Sequence, residues 1–335
     1  MNKLKAAFSV RPVRIAGTGS FVPDRVLTNT DLEKIVDTSD EWIVTRTGIR
    51  ERRIAPREMA ASDLAFPAAE KALEDAGITP KDLDGIIVAT VTPDQVFPST
   101  GCLLQARLGA PQAWAFDVSA ACSGFLYSLS VARALVASCA ADNVLVVGSE
   151  LLSRLTNWTD RTTCILLADG AGAAVLRPGN EEHQIIELEL GADGTYGSLI
   201  EMPAGGSRMP ASEDTVRQRL HTVHMKGNEV YKMGVRGMAD VCVKVLDKAG
   251  YVPDDIDLFV PHQANLRIIE ATAKRLDVPA EKVFTNIHKY GNTSAASVPL
   301  ALDEARRTGR LHSGDLVLMV VFGGGLTWGA ALVRW

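Results

Sequence analysis

The sequence predicts an α/β protein whose sheets are covered by helices, and two observations support this class. First, short β-rich apolar runs alternate with amphipathic helical patterns along the whole chain, which is typical of layered α/β folds. Second, one stretch of the sequence repeats itself in the second half, which indicates two similar units. The predicted strands are 13–17, 85–90, 113–117, 143–148 and 171–177, followed by 185–190, 258–260, 283–286 and 315–322.

The repeat pairs residues 71–87, KALEDAGITPKDLDGII, with residues 244–260, KVLDKAGYVPDDIDLFV. Each copy predicts a helix that ends at a glycine, a turn containing proline, and then a strand. Two shorter echoes follow in the same order: 119–122 resembles 294–297, and 172–177 resembles 329–334. We therefore predict two pseudo-symmetric halves, 1–178 and 179–335, with the boundary near residue 178.

The amino-acid composition limits the classes of protein to which this chain can belong. The 335 residues are 47% hydrophobic and 22% charged, as in ordinary globular proteins, and the net charge of -5 gives no reason to expect nucleic acid as a partner. The five cysteines are scattered without a Cys-x-x-Cys pair, which argues against disulfides and a zinc site and favours the cytoplasm. No stretch approaches the roughly 20 apolar residues of a membrane helix. The expectation is a soluble cytoplasmic protein that holds no metal.

Residues 191–217 are rich in glycine, serine, proline and charge, and they lack clear periodicity. Such a stretch predicts a long excursion on the surface. Two interpretations stay open at this point, a cover over a functional site and a solvated insertion without a role.

Cys122 lies where an apolar strand pattern meets a helical pattern over 125–138. At such a junction the unpaired N–H groups of the helix favour a thiolate, which would make Cys122 a nucleophile. The alternative is that Cys122 is one more small core residue. The other four cysteines sit in apolar patterns and are predicted to be core residues: Cys102, Cys139, Cys164 and Cys242.

Two further polar residues lie at comparable places in the second half. His262 follows the strand 258–260 and precedes a helical pattern over 266–276, where catalytic groups of α/β sheets gather. Asn292 comes directly before the segment that echoes the Cys122 loop. Its amide can donate a hydrogen bond to a developing oxyanion, although alone it would be taken for a helix cap.

The glycine-rich segments do not predict a nucleotide site. Residues 322–329, Phe-Gly-Gly-Gly-Leu-Thr-Trp-Gly, allow backbone N–H groups to approach a ligand but lack the lysine of a phosphate loop. Residues 17–22 lack the third glycine of a dinucleotide fingerprint. We reject both nucleotide interpretations.

Taken together, these segments resemble the 3-oxoacyl-acyl-carrier-protein synthase III family of the thiolase-like superfamily, and the likeness runs nearly end to end. The resemblance implies a thiolase-like fold of five alternating αβαβα layers and a homodimer. The segments that carry it are 17–20, 38–43, 46–49, 97–99, 119–124, 169–176, 262–265, 291–294 and 322–329.

The resemblance also implies a reaction without a cofactor. Cys122 would take an acyl group from acyl-CoA, and malonyl-acyl carrier protein would then lose carbon dioxide while His262 and Asn292 stabilise the enolate. The oxyanion hole for the acyl carbonyl would consist of the N–H groups of Cys122 and Gly324. The product would be a 3-oxoacyl-acyl carrier protein that starts type II fatty acid synthesis.

For the CoA substrate, the resemblance implies that Trp42 and Arg161 flank the adenine and that Arg46 and Arg267 lie near the phosphates. Arg267 and Lys274 are seven residues apart on one helix, hence on one face, and could meet the acidic carrier protein. A solvated helix face is the alternative for this pair.

The acyl pocket implied by the family contains Phe97, Leu167 and Phe322. Two departures from the family pattern occur, Leu326 in the last glycine motif and Leu167-Ala168 where Phe-Gly is frequent. Less bulk at Leu167 would admit a longer or branched primer.

Two other functions stay open. A related enzyme of polyketide or quinolone metabolism would use the same three residues for priming or acyl transfer. A catalytically silent relative serving as a binding partner is disfavoured because all three residues are intact.

Overall fold

The computed structural model describes residues 10–335. The strands are β1 (Val13–Phe21), β2 (Val26–Thr28), β3 (Glu51–Arg53), β4 (Gly85–Ala89), β5 (Trp114–Val118), β6 (Val144–Leu151), β7 (Asp169–Pro178), β8 (Gln184–Ala192), β9 (Ile200–Glu201), β10 (His224–Met225), β11 (Leu258–Pro261), β12 (Leu316–Gly323) and β13 (Thr327–Arg334). The helices are α1 (Asn29–Glu33), α2 (Asp40–Thr47), α3 (Ala61–Ala76), α4 (Thr100–Leu108), α5 (Gly124–Ala137), α6 (Glu213–Arg217), α7 (Gly227–Ala249), α8 (Leu266–Arg275), α9 (Ile287–Tyr290) and α10 (Ser297–Arg307).

Two larger sheets form the frame. The first has the strand order β1-β7-β6-β4-β5, with β4 parallel to both of its neighbours and β7 antiparallel to β6 and β1. The second has the order β11-β12-β13-β8, with β11 parallel to β12 and the other pairs antiparallel. All strands of the first sheet precede Gly179, and all strands of the second follow it. That division coincides with the two sequence copies, whereas the predicted domain boundary itself stays a prediction.

Helices and sheets alternate in five layers. Helices α3 and α4 pack on the outer face of the first sheet, and α7 packs on the outer face of the second with α8 beside it. Helices α5 and α10 lie between the sheets, in a core that draws residues from both halves, such as Leu129 and Leu302. Strands β4, β6 and β12 are buried throughout, which explains their continuous apolar sequences. The predicted αβαβα layering is confirmed.

The repeat takes the same form in both halves. Helix α3 ends at Gly77, which adopts φ 66°, and a 3₁₀ turn at Pro80–Asp82 leads into β4. Helix α7 ends at Gly250, which adopts φ 75°, and a 3₁₀ turn at Pro253–Asp255 leads into β11. A glycine is favoured at both helix ends because the left-handed conformation strains residues with a Cβ atom. The helix, turn and strand predicted from each copy are confirmed.

The central layer lies unusually close to the first sheet. A Cβ atom added to Gly148 of β6 would come within 2.4 Å of the Ala295 carbonyl oxygen, and one added to Gly172 of β7 within 2.7 Å of the Leu300 nitrogen. Both distances are shorter than any real Cβ contact. Glycine at these two positions therefore lets the backbone that leads into α10 rest directly on the strands.

Two sequence predictions are wrong. Residues 283–286 form no strand: only Val283 pairs with Phe259, because a 3₁₀ turn precedes it and α9 begins at Ile287. Cys102 and Cys139 are exposed, at the start of α4 and just after α5, whereas Cys164 and Cys242 are buried as predicted. The segment 191–217, predicted as a surface excursion, contains a 3₁₀ helix at Gly194–Leu199, β9 and α6.

Within residues 10–335, no helix is both long enough and apolar enough to span a membrane.

Candidate active site

Two short turns meet at the centre of the molecule. Ala121–Ser123 forms a 3₁₀ turn before α5, Ser294–Ala296 forms one before α10, and the two turns pack against each other. The first residue of each turn has a positive φ, 45° at Ala121 and 51° at Ser294. Such backbone conformations cost roughly 1–2 kcal/mol for a residue with a side chain. The same strained backbone conformation therefore occurs in both halves, next to the predicted site residues Cys122 and Asn292.

Cys122 lies in the first turn, against the glycine-rich end of β12. A Cβ atom added to Gly323 would lie 2.7 Å from the Cys122 nitrogen and 3.0 Å from its Cβ, so no larger residue fits there. Gly324 follows, and a Cβ atom on it would lie 3.6 Å from the Ala121 Cβ. The two N–H groups predicted for the oxyanion hole thus belong to backbone segments in direct contact, and their role stays a prediction.

The pKa of the Cys122 thiol lies above its ordinary value in the ligand-free protein, and the predicted role of Cys122 as nucleophile stays a prediction. Its pKa is raised to about 11, chiefly by burial and to a smaller extent by the nearby Glu150 carboxyl, while the Ser294 hydroxyl acts in the opposite direction. Desolvation at the centre of the molecule thus outweighs the helix N-terminus in the ligand-free protein. At neutral pH the sulfur carries its proton, and attack on a thioester requires a group that accepts it.

His262 follows β11, and its backbone N–H donates to the Val320 carbonyl of β12 at 2.8 Å. The ring is buried, with Nδ1 lying 2.6 Å from the Ser297 hydroxyl oxygen. Burial lowers the pKa of His262 to about 4, so the imidazole is neutral at neutral pH.

The tautomer of His262 follows from its neighbours. The Gln263 backbone N–H donates to the Ser297 hydroxyl oxygen at 3.4 Å, which leaves that hydroxyl free to donate to Nδ1. A neutral imidazole that accepts at Nδ1 carries its proton on Nε2. With this tautomer the ring offers an N–H donor at Nε2.

Asn292 is held by three backbone contacts. Its N–H donates to the Leu166 carbonyl at 2.8 Å, and its carbonyl accepts from Ala168 N–H at 2.9 Å. The side-chain oxygen accepts from Ser294 N–H at 2.9 Å. Because the oxygen is engaged, the NH₂ group is the part of the amide that remains to contact a ligand.

Cys122, His262 and Asn292 line one cavity of about 500 Å³, so the structure brings the three predicted residues together. The cavity is therefore lined by the Cys122 thiol and by two uncharged hydrogen-bond donors, the His262 Nε2–H and the Asn292 NH₂. Such an arrangement can stabilise negative charge that appears on a bound carbonyl oxygen.

The same cavity extends to a mouth that carries aromatic and cationic side chains. Trp42 and Arg46 of α2 line it, as does Arg267 of α8. The Arg46 guanidinium lies 4.7 Å from the Trp42 ring centre and that of Arg161 lies 5.2 Å from it. Asn265 joins the two helices at this mouth, since its amide donates to the Arg46 carbonyl at 3.0 Å and its oxygen caps α8. The four residues predicted for CoA thus cluster here, although Arg161 does not itself line the cavity and donates to the Asp37 backbone carbonyl.

The predicted acyl pocket is only partly assembled. Phe322 lines the cavity, but Leu167 is buried outside it, and Leu166 with Ile165 lines it instead. The one-residue shift arises because residue 167 forms the backbone bridge with Asn292. Phe97 is 83% exposed and does not line this chain's cavity.

The predicted carrier-protein surface is also divided. Arg267 contributes to the mouth of the cavity, with its guanidinium 5.6 Å from the Tyr231 ring centre. Lys274 is exposed two turns further along α8 and lines a separate groove with Glu270 and Asp277.

Several lining residues escaped the sequence analysis. The small sheet of β9 and β10 brings Ile200 and Met225 to the cavity, and the start of α7 brings Asn228 and Tyr231. Part of the predicted surface excursion therefore does cover the site. Ile200 and Met225 reach the cavity through a two-residue strand pair, which is too short to show a periodicity, and Asn228 and Tyr231 lie in the first turns of α7.

Comparisons with known proteins agree with this geometry. Residues 116–194 match the family model described as 3-oxoacyl-[acyl-carrier-protein (ACP)] synthase III, and residues 246–335 match the model of its C-terminal part. The chain is 57% identical over 321 residues to the beta-ketoacyl-[acyl-carrier-protein] synthase III of Caldanaerobacter subterraneus subsp. tengcongensis, which covers 96% of this chain and 97% of the relative.

Solved structures give the same result. The 3-oxoacyl-[acyl-carrier-protein] synthase III of Aquifex aeolicus VF5 superposes with a TM-score of 0.89 at 50% identity, over 96% of this chain and 100% of that one. The priming beta-ketosynthase of the R1128 polyketide pathway gives a TM-score of 0.90 at 36% identity, over 99% and 98%. The fold is therefore thiolase-like, and the chain belongs to the 3-oxoacyl-[acyl-carrier-protein] synthase III family.

Proposed function

We propose that this protein transfers an acyl group from acyl-CoA to Cys122 and then condenses it with malonyl-acyl carrier protein. Family membership makes the protein an acyltransferase and a condensing enzyme of fatty acid synthesis. The observation that carries the assignment of roles is that a thiol and two neutral hydrogen-bond donors share one cavity.

In the first half-reaction, the Cys122 sulfur attacks the thioester carbonyl and CoA leaves as the thiol. The acyl group then waits on the enzyme, which splits one difficult condensation into two easier steps. The contact of Cys122 with the Gly323 backbone supports an oxyanion hole made of the Cys122 and Gly324 N–H groups.

In the second half-reaction, the malonyl group loses carbon dioxide and leaves an enolate on the carrier-bound thioester. His262 Nε2–H and the Asn292 NH₂ group donate hydrogen bonds to the enolate oxygen, which needs donors and not a base. The low pKa of His262, about 4, keeps the ring neutral for this role. The enolate carbon attacks the acyl-Cys122 carbonyl, and the cysteine sulfur departs. The reaction requires no group beyond its two thioester substrates.

The mouth of the cavity supports CoA binding. An adenine ring can stack on Trp42, and the guanidinium groups of Arg46, Arg161 and Arg267 supply positive charge for phosphates. The carrier protein would dock at the same mouth, with Arg267 as the nearest candidate contact. Lys274 would then contact only a partner that extends along α8.

We expect the protein to be cytoplasmic and to form a homodimer. The homodimer would explain why several apolar side chains are exposed on this chain. Strand β5 is an edge strand whose Phe116 is 37% exposed, and the nearby loop exposes Val96 and Phe97 at 91% and 83%. A second copy that pairs with β5 would cover these side chains. Phe97 can contribute to an acyl pocket only in such an assembly, since it lies outside the cavity of its own chain.

A second candidate function is priming in polyketide metabolism. The 36% identity to the R1128 ketosynthase supports this second function. The first function has the stronger support, because the identity to the synthase III of Caldanaerobacter is 57%. A screen of acyl-CoA primers against malonyl-acyl carrier protein and malonyl-CoA, with products read by mass, separates the two.

The proposal is tested by incubation with radiolabelled acetyl-CoA. Label should bind covalently to the wild-type protein, be absent from Cys122→Ala, and persist in the matched variant Cys102→Ala, whose cysteine is exposed elsewhere. Covalent label on Cys122→Ala would contradict the role of Cys122. Malonyl decarboxylation should persist in Cys122→Ala and be lost in His262→Ala, and equal loss in both would overturn the division of roles.

A further inference from the structure

Arg52 is a fully buried arginine that the proposed reaction does not use. It lies on β3, and the hydrogen bonds that its guanidinium donates within residues 10–335 go to uncharged oxygens, with no ion pair among them. Burial lowers the pKa of Arg52 to about 10, which leaves the group charged at neutral pH. Charged side chains are rarely buried without a partner of opposite charge, so this one calls for a functional explanation.

The guanidinium joins three segments of the chain. Its Nη1 donates to the Asn29 side-chain oxygen at 2.8 Å and to the Leu27 carbonyl at 3.2 Å. Its Nη2 donates to the Ile165 carbonyl at 2.9 Å. Because the guanidinium is planar and rigid, these bonds fix the positions of their acceptors relative to one another. The segment that contains Ile165 is thereby tied to β2 and to the start of α1.

Asn29 extends this connection to α2, which forms part of the mouth of the cavity. Its amide group donates to the Asp40 carboxyl at 2.8 Å and to the Ile49 carbonyl at 2.8 Å. Asp40 begins α2, and Ile49 lies two residues after its end. Asn29 therefore holds both ends of α2, and the guanidinium binds to a part of the molecule that is itself held in place.

The segment that Arg52 holds is also the one that orients Asn292. Ile165 and Leu166 line the cavity. The Leu166 carbonyl accepts from Asn292 N–H at 2.8 Å, and the Asn292 carbonyl accepts from Ala168 N–H at 2.9 Å. Two of the three contacts that hold Asn292 therefore come from residues that directly follow the carbonyl bound by Arg52.

The stem of Arg52 packs against the residue before Asn292. A Cβ atom added to Gly291 would lie 3.3 Å from the Arg52 Cβ and 3.0 Å from the Leu166 carbonyl oxygen. Gly291 adopts φ 65°, a conformation that strains residues with a side chain. The backbone that leads into Asn292 is thus confined between the Arg52 side chain and the segment that Arg52 binds.

We propose that Arg52 positions the Asn292 amide for the enolate, by fixing residues 165–168 against the start of α1 and the ends of α2. The proposal deepens the proposed function, because it assumes that the Asn292 NH₂ group donates to the enolate oxygen. Arg52 is fully buried and does not touch the substrate, so it is a positioning residue. A charged donor suits this role because its hydrogen bonds are stronger than those of a neutral one.

The test separates the two half-reactions in single turnover. The first is acetylation of Cys122 by radiolabelled acetyl-CoA, and the second is release of this label as product when malonyl-acyl carrier protein is added. Arg52→Met removes the three hydrogen bonds and leaves an unbranched apolar side chain. We expect the second half-reaction to slow at least about tenfold, since a small displacement of a catalytic group costs a large factor in rate. Acetylation should stay within about twofold, because the Cys122 turn rests on Gly323 of β12.

Arg52→Lys keeps the charge and loses the planar fork, so it should slow the second half-reaction by only about threefold, with acetylation unchanged. If Arg52→Met fails to fold, Arg52→Lys carries the same test. Arg133→Met is the matched control, because the Arg133 guanidinium is partly buried and donates to the Ile186 carbonyl at 3.1 Å, away from Asn292. Both half-reactions of this control should stay within about twofold of the wild type.

A double variant shows whether Arg52 acts through Asn292. Adding Arg52→Met to Asn292→Ala should slow the second half-reaction by less than about a further twofold, because the amide that Arg52 positions is already gone. A further tenfold loss would overturn the proposal. Equal loss of both half-reactions in Arg52→Met, or a second half-reaction at the wild-type rate, would do the same.

Failure of the proposed function gives a different result. In that case the wild-type protein itself would carry no label on Cys122 after incubation with acetyl-CoA. A labelled wild type whose condensation does not depend on Arg52 would contradict only the role of Arg52.

Discussion

The Ser297 hydroxyl oxygen lies 2.6 Å from His262 Nδ1, where the hydroxyl can donate to this ring nitrogen and favour the tautomer that carries its proton on Nε2. We expect Ser297→Ala to lower the rate of malonyl decarboxylation about tenfold, since a ring without this donor can adopt the tautomer with no hydrogen on Nε2. Ser128→Ala is the matched control, because Ser128 is also buried in a helix but its hydroxyl has no hydrogen-bond partner. A Ser297→Ala enzyme with the wild-type decarboxylation rate would contradict this role.

The pKa of His262, about 4, predicts how decarboxylation depends on pH. The ring stays neutral as the pH falls through 6.5, where an ordinary histidine becomes charged. Decarboxylation should therefore stay within about twofold between pH 8 and 5.5. The measurement uses Cys122→Ala combined with Glu150→Gln, so that neither the thiol nor Glu150 titrates. An inflection near pH 6.5 would show that His262 is more solvated than the structure implies.

The raised pKa of Glu150 has a consequence for stability. Its folded value is about 7 and its ordinary value is 4.5, so the folded protein binds more protons between these values. The stability that Glu150 contributes is present below pH 4.5 and is lost as the pH rises through 7. Relative to Glu150→Gln, the wild type should lose about 3 kcal/mol in free energy of unfolding between pH 4.5 and 8. Urea unfolding of both proteins at the two pH values measures the difference, and a constant difference would refute it.

Arg46 should affect substrate binding more than the chemical steps. It lines the mouth of the cavity and has no ion pair within residues 10–335, so its charge is available to phosphates. We expect Arg46→Ala to raise KM for acetyl-CoA about tenfold with a smaller change in kcat. Arg236→Ala is the control, since Arg236 is exposed on α7 and pairs with Asp240. Equal effects of both variants would point to net charge and not to a specific contact.

Gly323 should tolerate no side chain. A Cβ atom 2.7 Å from the Cys122 nitrogen would displace the nucleophile, so Gly323→Ala should lower covalent acetylation by at least about a hundredfold. Gly194→Ala is the control, because a Cβ atom there meets no atom within 4 Å. Wild-type labelling by Gly323→Ala would show that β12 can move away from Cys122.

The sequence predicts the layers better than it predicts the site. Buried strands such as β4 and β6 are continuous apolar runs, and both copies of the repeat carry a helix-ending glycine, so their structures follow from local rules. The failed strand at 283–286 contains apolar residues, but only one of them reaches a partner. Whether residues 283–286 form a strand depends on how many of them can hydrogen-bond to the free edge of β11, and the sequence does not show this.

The short echo between the halves was matched out of register. The sequence match pairs Ser119 with Ser294. In the structure the residue that corresponds to Ser294 is Ala121, because each of these two residues begins a 3₁₀ turn and has a positive φ. The shift of two residues conceals that Ser294 stands opposite the residue before Cys122. The separation between Ala121 and Ser294 equals that between Lys71 and Lys244, so extending the longer repeat without a gap would have found it.

Glu150 could not be found from the sequence. It is the second-last residue of the run Val-Leu-Val-Val-Gly-Ser-Glu-Leu of β6, and a single acidic residue near the end of a strand is usually exposed. Its partners come from the loop after β4 and from the turn before α10, which lie far away along the chain. Only the packing of the two halves shows that the carboxyl group is buried against Ser294 of the second half.

The contact of α10 with Gly148 and Gly172 bears on how the chain can be divided. A fragment ending near residue 178 would expose the parts of β6 and β7 that α10 covers, and the complementary fragment would expose the face of α10 that packs on them. Neither piece would hold a soluble monomeric core by itself, although the two should recombine when expressed together. If the chain is cut near residue 178, Cys122 lies on one polypeptide, and His262 and Asn292 lie on the other. Enzymatic turnover would then measure how much of the two polypeptides has reassembled.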